Sequence, residues 1–111
     1  MRIFHLALAS EWAEAVRTGR YATSTLGRTL EQEGFIHCSQ ESQVAGVRAA
    51  FYADVREPVV VLTVDTDLLS CPWRLDEVPG ADEPFPHVYG PLDIAAVTAV
   101  TPLLPEAVTA G

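Results

Sequence analysis

Residues 2–8, RIFHLAL, form a short apolar run closed by a polar turn, and this pattern predicts a first strand. Ser10 is placed to cap a following helix, with Glu11 and Glu14 in its first turn and Gly19 available to end it. The segment 20–28 is polar, with Tyr21 and Leu26 as its anchors. TLEQE predicts a helical turn that Gly34 closes, and FIHC reads as a second strand. Ser39 offers another N-cap, and Val44, Val47 and Phe51 recur at helical spacing, which predicts an amphipathic helix over 40–53. VVVLTV is an unbroken β-branched run, the pattern of a central strand buried on both faces. WRLDEV is a further strand, PGADEPFPHVYGPL is too rich in Pro and Gly for regular structure, and DIAAVTAV closes the domain with a helical turn and a strand.

Two main helices early and most strands late indicate an α+β domain with helices on a small mixed or antiparallel sheet. The order does not suit a doubly wound design, and no glycine-rich Rossmann or P-loop fingerprint is present. One globular domain over 1–105 is expected, with 106–111 as a flexible C-terminal tail.

Composition narrows the function classes. A net charge of −8 argues against bulk nucleic acid, whose binding depends on releasing counterions from a basic surface. A small nucleotide or metabolite in a local pocket stays open as a partner, and nothing in the sequence identifies a protein partner. No run is long enough to span a membrane and the N-terminus lacks the core of a signal peptide, so a cytoplasmic location is expected. In that setting Cys38 and Cys71 are expected as reduced thiols rather than a bridge.

The candidate chemistry centres on three histidines at strand edges: His5 in IFHLA, His37 in GFIHCS and His87 in FPHVYGPL. Each can be a packed residue with its ring nitrogens satisfied, or part of a shared site. Strand alternation puts His37 and Ser39 on one face, and a capping Ser39 would leave backbone N–H groups suited to a phosphate. His87 and Tyr89 stand at the same spacing on a stiff loop, where the Tyr ring suits stacking on a base. Asp76 and Glu77 can supply one inward carboxylate, since alternation lets only one face in. The chain lacks the His-x-x-x-His or Cys-x-x-Cys pairs that support a metal site, so no metal is expected. Cys38 alternates away from His37, and no nucleophile elbow surrounds Ser39.

EGFIHCS and FPHVYGPL together resemble the motifs of a small bacterial family, domain of unknown function 952, over roughly His5 to Val100. That family looks like a minimal ADP-ribosyltransferase fold, a split sheet with an NAD-binding cleft between its halves. The resemblance implies a transferase acting on NAD or a related nucleotide. His5, His37, Ser39 and Tyr89 would then bind the ligand, with catalytic roles for His37, His87 and Asp76 or Glu77. The Glu of classical mono-ADP-ribosyltransferases has no unambiguous match here. A non-catalytic nucleotide or metabolite module and a histidine metal-binding protein are the alternatives.

Overall fold

A computed structural model describes residues 1–103; the expected tail at 106–111 lies outside the described residues. The first strand, β1 (Arg2–Leu8), runs directly into α1 (Ala9–Thr18). Leu8 rather than Ser10 is the residue preceding α1, because the helix starts two residues earlier than the capping pattern predicts. Gly19 ends it in the left-handed conformation, as expected. A hairpin of β2 (Thr23–Thr25) and β3 (Arg28–Thr29) leads into the short α2 (Leu30–Glu33), which Thr29 and Gln32 cap reciprocally and Gly34 closes at φ 87°.

The strand β4 (Ile36–His37) is followed by a 3-10 turn (Glu41–Gln43) and α3 (Val44–Phe51). Ser39 does not cap this helix. Its backbone N–H and carbonyl exchange hydrogen bonds with Phe4, and the next turn instead uses the Gln43 side chain, which accepts from the Gln40 N–H at 2.8 Å. The rest comprises β5 (Val59–Asp65), β6 (Trp73–Asp76), β7 (Phe85–Val88) and β8 (Val97–Pro102), with 3-10 turns before β6 and β8.

Two three-stranded antiparallel sheets result, β1-β5-β8 and β4-β7-β6. An isolated bridge between Phe4 and Ser39, outside the named strand pairings, links the two. β5 is the centre of the first sheet. Leu62 and Val64 pack into one hydrophobic cluster and Val59 and Val61 into another, which gives the expected burial on both faces.

β7 is the centre of the second sheet, although its segment was expected to be irregular. Pro86 is accommodated because Cys38 N–H donates to its carbonyl, while the ring nitrogen has no hydrogen to return and the β4 ladder stops there. Among the described residues no helix is long and apolar enough to cross a membrane.

Candidate functional site

His37 and His87 lie directly opposite each other on β4 and β7. The neighbouring Cys38–Pro86 bond makes theirs a non-hydrogen-bonded pair, the kind in which side chains come closest. Their ring centres are 5.5 Å apart. Alternation adds Phe35 beside His37 and Phe85 beside His87 on the same face. Phe35 stacks on the His87 ring at 3.9 Å, and Phe85 leans on the His37 ring at 4.9 Å.

These four rings form one wall of a cavity of about 990 Å³. The opposite wall is α3, where Gly46 and Ala50 leave room and Phe51 stands half-exposed at the rim. Thr25, Leu26 and Arg28 of the hairpin line it as well, and residues 78–83 close one end. That end is pinned to the 3-10 turn: the Gln40 side chain donates to the Pro84 carbonyl at 2.8 Å, Gln43 to the Glu83 and Pro84 carbonyls, and Ser42 to the Glu83 carboxylate. A second cavity of about 600 Å³, around Tyr52, Arg56, Pro58 and Leu103, is lined by no histidine.

Behind His87 stands a polar relay. Its Nδ1–H donates to Asp76 Oδ2 at 2.8 Å, the Tyr89 hydroxyl donates to the same oxygen, and the Arg74 guanidinium lies 3.5 Å from Asp76 Oδ1 and 4.6 Å above the Tyr89 ring centre. The Tyr89 hydroxyl, with help from His87 and Arg74, holds the Asp76 carboxyl below the usual carboxylate range. Nδ1 of His87 is thereby fixed as a donor, and Nε2 is the nitrogen left over. Glu77 lies beyond the end of β6 and is exposed, and neither it, Asp76 nor Tyr89 lines the cavity; of the two acidic candidates only Asp76 reaches His87.

His5 and Ser39 do not line the cleft. His5 follows Ile3 and precedes Ala7 on the core face of β1 and is 2% exposed. Its Nδ1–H donates to the His37 carbonyl at 2.7 Å, and its Nε2 accepts from the Tyr21 hydroxyl at 2.8 Å, which uses both ring nitrogens in the neutral form. Burial lowers its pKa to about 4. Ser39 is buried where the chain crosses to β1. His37 is also lowered to about 4, by burial first and by His87 second.

A non-hydrogen-bonded pair turns its backbone groups outward, and among the described residues no strand forms a ladder with the outer side of β4 at His37. Two buried side chains take the strand's place: His5 satisfies the His37 carbonyl, and Ser24 Oγ accepts from the His37 N–H at 3.2 Å. Sequence reasoning missed Ser24, Phe35 and Phe85. The two phenylalanines were within reach, because they stand two residues before His37 and His87, the spacing that was applied only in the forward direction.

Both cysteines are free thiols, and burial raises that of Cys38. No group of three or more His, Cys, Asp or Glu side chains suited to a metal occurs among the described residues.

The chain belongs to a family described as protein of unknown function (DUF952), whose profile matches residues 6–100. It is similar to protein CC0527 from Caulobacter crescentus. The crystal structure of that protein is 26% identical over 92% of this chain and 85% of the other, with a TM-score of 0.78. Its solution structure is 27% identical over 90% and 82%, with a TM-score of 0.71. No curated protein matches the chain.

Proposed function

We propose that this family member is a small enzyme that binds NAD or a related ADP-ribosyl nucleotide in the histidine cleft and breaks the bond between ribose and base. The observation that carries the reading is the His37–His87 pair, two imidazoles 5.5 Å apart on the wall of a cavity of about 990 Å³, a size that suits a nucleotide. The resemblance of the motifs to a minimal ADP-ribosyltransferase supports the same reaction class.

Phe35 and Phe85 offer apolar surface to the base. As the C1′–N bond opens, its electron pair goes to the ring nitrogen and C1′ takes on oxocarbenium character. Water or an acceptor hydroxyl attacks C1′ and gives up its proton to a neutral imidazole of the pair. His87 Nε2, left over once Nδ1–H is engaged by Asp76, is the nitrogen offered to that proton, with the uncharged His37 ring beside it. Asp76 acts through His87 as a positioning residue, holding the ring and its tautomer. His5 and Ser24 hold the His37 backbone from behind. With a net charge of −8, the acceptor is water or a small molecule rather than bulk nucleic acid.

A second reading, a nucleotide-binding module without chemistry, draws on one feature. Asp76 is engaged on both oxygens, and Glu33 in the cleft is ion-paired with Arg28 at 2.7 Å, so neither stands free beneath a ribosyl cation. Incubation with NAD and measurement of released nicotinamide separates the two. The enzyme reading expects turnover that falls at least tenfold in His37→Ala and in His87→Ala. Saturable binding with no release leaves the module, and release unchanged in both variants contradicts the assignment.

A further inference from the structure

The charges around the cleft favour one end of such a substrate. Its lining includes three carboxylates, Glu33, Asp82 and Glu83, against one guanidinium, Arg28, which is already paired with Glu33. Glu83 and Asp82 are exposed in the lining, while the wall beside the histidines is aromatic: Phe35 and Phe85 lie with them, and Phe51, 52% exposed, stands at the rim. Aromatic faces with nearby carboxylates attract an organic cation through the ring quadrupole and through direct Coulomb attraction. The same carboxylates repel a phosphate, and only the paired Arg28 among the lining residues offers it a positive charge.

We propose that the cleft selects a cationic N-riboside, a ribose joined to a ring nitrogen that carries formal positive charge, over the corresponding nucleoside phosphate or dinucleotide. This rests on the ribose–base cleavage proposed above and narrows its preferred substrate from the whole dinucleotide to the cationic riboside portion of it. The chemistry is consistent with it. When the C1′–N bond breaks, its electron pair neutralises the ring and the positive charge moves to the ribosyl centre. Asp82 and Glu83, which attracted the ring, then favour the positive ribosyl centre, and the departing neutral ring is held less firmly. Water adds its oxygen to C1′ and its proton passes to the imidazole pair, giving ribose and the uncharged base.

The test is calorimetric titration of the protein with nicotinamide riboside, its 5′-phosphate and NAD, at about 50 mM and about 500 mM salt, with base release followed in the same mixtures. The riboside is expected to bind about tenfold more tightly than its 5′-phosphate at low salt, with the gap narrowing at high salt. The double variant Asp82→Asn, Glu83→Gln is expected to lose most of that preference. Equal or tighter binding of the 5′-phosphate or of NAD, or no binding by any of the three, overturns the inference. The two readings fail separately: the predicted affinity order without release of base removes the catalysis and keeps the selectivity, whereas release from a more tightly bound NAD keeps the catalysis and removes the selectivity.

Discussion

His5 and His37 look alike in sequence, each a histidine in an apolar strand, and the structure puts one in the core and the other on the wall of the cavity. His37 was legible as a cleft residue because its partner motif, around His87, has the same alternation. His5 was misread because its two partners, the His37 carbonyl and the Tyr21 hydroxyl, come from distant segments that only folding brings near. Replacing His5 by Phe takes the side-chain donor from the buried His37 carbonyl and the acceptor from the Tyr21 hydroxyl, and a loss of about 2–4 kcal/mol in urea denaturation is expected; a loss below about 0.5 kcal/mol would contradict the assigned role.

The pH dependence follows from the same residues. Both histidines have folded pKa values lowered to about 4, against an unfolded value near 6.5, so between those limits the unfolded chain binds protons that the native state does not. Stability therefore falls as pH drops through this window. Moving from pH 7 to pH 5 is expected to remove about 2 kcal/mol for each of the two, and His5→Phe removes about half of the combined slope. Equal stability at the two pH values would show that the rings are not held neutral.

At the scale of elements, hydrophobic pattern located β1, β5 and β8 and both main helices, because each carries a run or a periodicity long enough to read. The failures lie where tertiary pairing overrides local chemistry. Ser39 has the composition of a cap but is claimed by a bridge to Phe4, and β7 has the composition of a loop but is flanked by β4 and β6. The loop after β7 is fitted closely against the segment before β6. Tyr89 N–H donates to the Pro72 carbonyl at 2.8 Å, and a Cβ added at Gly90 would stand 2.7 Å from Cys71 Cβ and 2.9 Å from its Sγ. Gly90→Ala is expected to cost about 1–3 kcal/mol in chemical denaturation, with part of the loss recovered by Cys71→Gly in the same chain. Additive losses in the double variant would mean that the clash is not the cause.

For the whole molecule, the split between the sheets is what places the cleft. β4 pairs with β7 through His37 and then crosses to β1 at Ser39, leaving an opening that Ser24 and His5 fill from the core side while His37 and His87 face the cavity. The α+β class was legible in sequence, whereas the sequence leaves the choice of antiparallel over mixed pairing open. The crossing was not legible, since it rests on one bridge with no local signature. The central claim is that a ligand meets His37 and His87 and not His5. Its most direct test is a titration of histidine-labelled protein with nicotinamide riboside, followed by imidazole nitrogen and proton NMR shifts. The account predicts saturable shifts of the His37 and His87 signals with His5 nearly unmoved; His37 and His87 unchanged at saturating ligand, or His5 shifting most, would contradict it.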